Sequence, residues 1–404
     1  MVVSNNNRRP ILAPAKLELP SSRPRLLPSR LDLPGVQKDL NESPGAQRLR
    51  NLVTALCNHD RRTLSKQGSE ETCHFIFDHF HSIGLFPYLQ ESRSALTHYE
   101  LKREVKAREK RALQFFKYTD AEAKQRLSEL NFKTTPTIKN VSATIGPKDG
   151  RKIILGAHYD TDPYVPRGSG ADDNASGVAM VLELAQRMQK YRKLFEAAGV
   201  CLEFTCFDAE EHPFAKEGSR KNAAFSEHLN TDHMINFDML GYFAPKELQD
   251  IGEIDEYLDS NCEIGDFARR LQIIIPDQED YYVVEAASTG ENIDQAAYDI
   301  SDSLKVQGQK SIGLTDKELT WFATDVQEDI IHNFLDGAGS DHDSFIDRNI
   351  SAMFIHDNPR RNPNYHRRLD KPNTLNYEPM DKLANAVEKY LVSFAQKRLR
   401  SKAA

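Results

Sequence analysis

Four segments of this 404-residue chain end an apolar run with a cluster of histidine and acidic residues. They are Gly156-Ala-His-Tyr-Asp160, Gly170-Ala-Asp-Asp-Asn-Ala-Ser-Gly177, Phe207-Asp-Ala-Glu-Glu211 and Asn236-Phe-Asp-Met239. A fifth, Asn364-Tyr-His366, follows the apolar run Ala352–His356 after a loop. Taken singly, a His-x-Asp is an ordinary polar strand end and a Glu-Glu pair is ordinary solvated surface. Brought together they pose an electrostatic problem, because several carboxylates cannot share one buried spot without cations to offset their repulsion. Two divalent metals are the simplest solution, and mixed imidazole and carboxylate donors suit zinc better than the all-oxygen sets of magnesium or calcium. Zinc acidifies a bound water, and a second metal holds both nucleophile and substrate oxygen. A carboxylate beside the ligands then carries a proton from nucleophile to leaving amine.

For these segments to meet, they must lie at one edge of one sheet. The patterning predicts strands over Lys152–Ala157, Val200–Phe207, Met234–Met239 and Ala352–His356. Between them it predicts helices over Asn174–Tyr191 and Ser219–His228, and an amphipathic helix over Met380–Arg400 closes the chain. The first of these helices sets Val178, Val181, Leu182, Ala185 and Met188 on one face. Strands alternating with helices imply right-handed crossovers and a mainly parallel sheet with helices on both faces, a three-layer α/β/α fold. In such sheets ligands bind at the carboxyl ends of the strands, where the five segments fall.

Residues 1–45 are rich in Pro, Arg, Ser and Asn and read as a disordered tail. Residues 46–400 read as a single catalytic domain. Its helices begin at Ala46–Cys57, and a second follows Ser69 with Cys73, Ile76, Phe77, Phe80 and Ile83 on one stripe and Gly84 as a stop. Residues 90–131 read as a charged helical insertion, with Leu101, Val105, Ala112 and Phe116 about a turn apart and a capping pair at Thr119 and Glu122. Residues 245–335 are less regular and read as an elaboration near the site.

With its five segments in this order, the chain resembles the M28 zinc exopeptidases, the family of the secreted bacterial leucyl aminopeptidases. The resemblance runs from about Asn51 to the C-terminal helix and includes Asn140-Val-Ser-Ala-Thr-Ile. It implies two Zn2+ ions per chain and removal of the terminal residue of a peptide substrate, most readily from the amino end. Carried over by position, it implies that His158 binds one zinc, that Asp173 bridges the two, that Glu211 is a ligand of one zinc and Asp238 of the other, and that His366 completes the site. Asp160 would orient His158. Glu210 would be the base acting on a water held between the metals, and Tyr365 would hydrogen-bond the developing oxyanion. Asp341 and His342 would line the substrate pocket, although His342, flanked by acids, also competes with His366 for the last ligand position. His356, inside an apolar strand, and His212, in a loop, read as non-ligands. Arg367 and Lys371 stand where the family commonly has threonine, so the rim of the pocket differs.

Three other functions remain open. Glutaminyl-peptide cyclases share the fold, bind one zinc and act as acyltransferases, but their acidic segment usually reads Gly-Ala-Thr-Asp-Ser. A carboxypeptidase would need a pocket for a carboxylate, and Arg360, Arg361, Arg367 and Arg368 surround the last ligand. A non-catalytic scaffold would have lost ligands, and all of them are present. A net charge of −7 offers no general attraction to nucleic acid, and no window is apolar enough to span a membrane. Five cysteines without a CxxC pair, and no hydrophobic leader core, place the chain by expectation in a reducing cytoplasm. The oligomeric state is open.

Overall fold

Strand β4 (Val200–Phe207) shows why the centre of this fold is a covered sheet: every one of its residues is buried, and the one acid among them, Glu203, is paired with Lys152 of the neighbouring strand. The computed structural model describes residues 42–62, 64–65, 68–115, 119, 121, 125, 128–130, 135–163, 165, 167–242, 281–286, 291–315, 339–357, 362 and 364–403. Among these, β4 belongs to one eight-stranded sheet. The other strands are β1 (Tyr88–Arg93), β2 (Thr137–Ile145), β3 (Arg151–His158), β5 (Thr231–Phe237), β6 (Tyr281–Ala286), β7 (Lys310–Thr315) and β8 (Ser351–His356), in the order β1-β2-β4-β3-β5-β8-β6-β7. The four central strands β4, β3, β5 and β8 run parallel, and β6–β7 is also a parallel pair. Strands β1, β2 and β6 pair antiparallel with their neighbours β2, β4 and β8.

Helices cover both faces. Along β3 the side chains of Ile153, Leu155 and Ala157 enter the large core shared with helices α1 (Pro44–Cys57), α2 (Gly68–Ser82), α4 (Gly177–Met188), α5 (Arg192–Ala198), α7 (Glu291–Val306) and α9 (Tyr377–Ala403). Ile154 points to the opposite face and joins Phe207, Met234, Ala223 of α6 (Glu217–Ser226) and Phe345 of α8 (Asp343–Ile346). This is the period-two alternation of a strand buried on both sides. Helix α4, buried from Gly177 to Ala185 on the large-core side, carries one acid inward, and Arg48 and Arg187 both pair with that Glu183. Phe204 is wholly buried in the same core. Phe204→Ala is therefore expected to cost about 3–5 kcal/mol of folding stability, measured by denaturant titration. A loss under about 1 kcal/mol would mean that the core around β4 is loosely packed.

Several elements differ from their sequence reading. Helix α1 starts at Pro44 and is capped by Ser43, whose Oγ accepts from the Ala46 amide at 3.2 Å, so order begins inside the segment read as tail. Residues 1–41 lie outside the described residues. The segment read as a helical insertion opens with β1, an edge strand, before helix α3 (His98–Phe115); Phe116 and Glu122 lie outside the described residues. Within the segment read as an irregular elaboration, β6, α7 and β7 form a strand–helix–strand unit of the sheet, while 245–280 and 316–335 lie outside. The helix expected from Asn174 becomes regular only at Gly177, because Asp173 and Asn174 take non-helical backbone angles. Among the described residues no helix is long and apolar enough to cross a membrane.

Candidate metal centre

The parallel register sets two metal-type side chains level with each other. Gly156 of β3 pairs with Asn236 of β5, so His158 and Asp238, each two residues further on, emerge side by side. His158 Nε2 lies 3.5 Å from Asp238 Oδ2 and 3.5 Å from Asp173 Oδ1. Ser340 Oγ donates to Asp238 Oδ2 at 2.7 Å and accepts from Asn236 Nδ2 at 2.8 Å, which fixes the carboxylate.

Asp173 arrives from an irregular turn built to present it. Gly170 has φ +80°, where a Cβ would sit 2.5 Å from the Asp173 carbonyl oxygen. Asp370 accepts from the amides of Asp172 and Asp173 at 2.8 and 3.2 Å. Asn174 donates through Nδ2 to the Phe237 carbonyl and accepts at Oδ1 from the Gly177 amide, both at 2.9 Å. Held this way, Asp173 faces two imidazoles: its Oδ2 lies 2.9 Å from His366 Nε2 while Oδ1 faces His158. His366 Nε2 is also 3.2 Å from Glu211 Oε1, and the Tyr365 ring stacks on the His366 ring at 3.9 Å between centroids.

Asp160 ties the two halves together. Its two oxygens accept from the amides of Glu210 and Glu211 at 3.0 and 3.1 Å, and Oδ1 lies 3.4 Å from His158 Nδ1. One buried carboxylate thereby sets both the imidazole and the loop that carries the two glutamates.

Two donor groups emerge. His158, Asp173 and Asp238 form one, and Asp162, Glu211 and His366 form the other, each with its donor atoms within 4.8 Å of one another. The 3.5 Å spacings around His158 Nε2 are long for hydrogen bonds, and they match the edge of about 3.4 Å expected when donors sit 2.0–2.1 Å from a tetrahedral ion. Asp238 Oδ1 and Glu211 Oε1 are buried and accept no hydrogen bond. Carboxylates crowded this closely favour uptake of protons unless cations lie among them. Burial pushes Glu211 up to about 7, against the pull of His366, and Asp370 also up to about 7. Burial, with Asp370 next to it, raises Asp172 to about 8. Glu210 is driven well above the usual carboxylate range by burial, although His158 opposes this. Burial alone would lower His158 and His366, but Asp238 and Glu211 respectively hold both well above the usual range. The donors fit a pair of divalent cations, which would relieve the repulsion without protons.

His342 joins neither donor group. Its Nε2 lies 3.1 Å from Asp343 Oδ1, its ring stacks on Phe354 at 4.4 Å, and burial lowers its pKa. Asp341 is fully buried, and burial raises it to about 7 with His158 opposing. His356 packs its ring, tilted, against Phe354, and burial lowers it to about 4. Two contributors were absent from the sequence reading. Asp162 completes a run of alternate residues with His158 and Asp160, a period-two signal available from the sequence. Arg61, 2 % exposed, donates to the carbonyl oxygens of Ser169 and Gly170 and sets a cation behind Asp173; nothing local to its position marks it.

The site is thus a pair of histidine–carboxylate groups at the carboxyl edge of the parallel strands of a covered, mainly parallel sheet. The chain belongs to peptidase family M28, whose model matches residues 140–272 and 285–391. It is 28% identical over 262 residues to the uncharacterized protein YfbL of Escherichia coli, covering 62% of this chain and 69% of that protein. It is 30% identical over 138 residues to a probable leucine aminopeptidase of Trichophyton verrucosum, a match to 33% of this chain and only 36% of that protein. Among solved structures, a glutaminyl cyclase of Porphyromonas gingivalis superposes with a TM-score of 0.52 at 16% identity, covering 86% of this chain and 97% of the other. A Zn-dependent exopeptidase of Parabacteroides distasonis does so with 0.51 at 15%, covering 85% and 96%. These likenesses show the fold.

Proposed function

We propose that the chain is a two-zinc exopeptidase that removes single residues from the amino end of peptides. The observation that carries this reading is Asp173, whose two oxygens face the imidazoles of two separate donor groups. His158 and Asp238 would hold one ion, Glu211 and His366 the other, with Asp173 shared. When bound, the zinc pair supplies Lewis acidity that polarises the scissile carbonyl and acidifies water. Glu210 belongs to neither donor group, and the Asp160 clamp on its amide holds it beside them. Its carboxylate accepts the proton of the attacking water and returns it to the leaving amine. Burial keeps the Tyr365 phenol protonated, so it can donate to the developing oxyanion. The buried acid Asp341 supplies negative charge suited to a free α-amino group, whereas Arg368 is exposed and Arg367 only half-buried.

The test is zinc content per chain by plasma emission spectrometry, together with turnover of aminoacyl-nitroanilides, their N-acetylated forms and glutaminyl peptides. About two zinc ions and cleavage confined to free-amine substrates are expected. One zinc with cyclisation of glutaminyl peptides would replace this reading by the acyltransferase. Release only from the carboxyl end would move the specificity pocket to the opposite terminus.

A further inference from the structure

We propose that Asp162 is a fourth protein donor to the second metal, so that this ion is held by Asp162, Asp173, Glu211 and His366. The inference rests on the two-zinc reading above. A donor oxygen of Asp162 lies within 4.8 Å of both the Glu211 and His366 donor atoms, and the residue is fully buried. It also lines one small, tight cleft with Asp173, Glu211, His366 and Asp370. A second observation points into the same space. Glu211 Oε1 is buried and accepts no hydrogen bond, although it faces His366 Nε2 at 3.2 Å, as expected of two donors turned toward a common cation.

Charge favours the assignment. The donors Asp173, Glu211 and Asp238 carry three negative charges against the four positive charges of two divalent ions. Asp162 supplies the fourth, and a buried cluster is least costly when its charges balance. Chain geometry explains how it reaches the site. His158, Asp160 and Asp162 alternate along the segment that leaves β3, and Thr161 between them is pinned by its amide to the Arg61 carbonyl at 3.2 Å. The consequence is an asymmetric pair. The first ion sees one imidazole and two carboxylates, and the second sees one imidazole and three carboxylates. The second site is thus the harder of the two and the one more tolerant of manganese.

The test is stepwise zinc affinity of the full chain by competition with a chromophoric chelator, for wild type, Asp162→Asn and Asp162→Glu. Wild type is expected to bind two ions. Asp162→Asn is expected to weaken the second by about tenfold or more while leaving the first unchanged, and Asp162→Glu to recover part of that loss. A second-site affinity within about twofold of wild type in Asp162→Asn would overturn the assignment alone. A wild type that binds a single zinc would overturn the two-metal reading as well. Cobalt substitution of the wild type gives a check that needs no variant. With these four protein donors and the water shared between the ions, the second cobalt should show the weak visible absorption of a five-coordinate site, and an intense tetrahedral band there would overturn the proposal.

Discussion

Glu210→Gln is expected to lower kcat on an aminoacyl-nitroanilide by about 10²–10⁴-fold while the chain keeps its full complement of zinc. The substitution is nearly isosteric and leaves intact the amide that Asp160 holds, so the loop should stay in place. What it removes is the carboxylate that, on the proposed mechanism, takes the proton, and an amide cannot substitute for it. Because the lost interaction acts at proton transfer, the fall should appear in kcat and in kcat/KM alike, with KM little changed. Zinc content and thermal midpoint measured on the same preparation separate this outcome from a folding defect. Retention of more than about a tenth of wild-type kcat, with two zinc ions bound, would remove Glu210 as the base.

The second large effect belongs to Asp173→Asn. Its two carboxylate oxygens face an imidazole of each donor group, so on the two-zinc reading replacing it is expected to strip zinc from both positions, to well under one ion per chain after dialysis. Activity should fall with it and return only in part at millimolar zinc. His342→Ala is the informative contrast, because the side chain at 342 belongs to neither donor group and its loss should leave the zinc content near two. Full zinc retention in Asp173→Asn would falsify the shared-ligand arrangement. Zinc lost from His342→Ala but not from His366→Ala would reverse the assignment of the last ligand.

The edge strand β1 shows where sequence reading fell short. Tyr-Leu-Gln-Glu-Ser-Arg has no apolar alternation, because an edge strand pairs on one side only and leaves most of its residues half-buried or exposed. Its pairing with β2, rather than burial, makes it a strand. The β6–α7–β7 unit was missed for a related reason: β6 runs antiparallel to β8, so it lies beyond the stretch in which strands and helices alternate regularly. The turn before α4 looked like plain helix, since nothing in Ala-Asp-Asp-Asn-Ala-Ser announces the backbone angles that Asp370, nearly two hundred residues away, imposes through the Asp172 and Asp173 amides.

The central strands β3, β4, β5 and β8, and the identity of the chemistry-bearing residues at their ends, were decided by the sequence alone. Mostly apolar strands flanked by helices can be satisfied only inside a covered sheet, and the acids and histidines clustered at their ends mark the edge where a cation would be held. The tertiary structure alone decided which groups meet. Strand register sets His158 beside Asp238, a return from the far end of the chain brings His366 rather than His342 to Asp173, and the bend after β3 carries Asp162 to Glu211. Local spacing encodes which side of a strand a residue faces. Distances between donors tens to hundreds of residues apart come from packing, and no local pattern contains them.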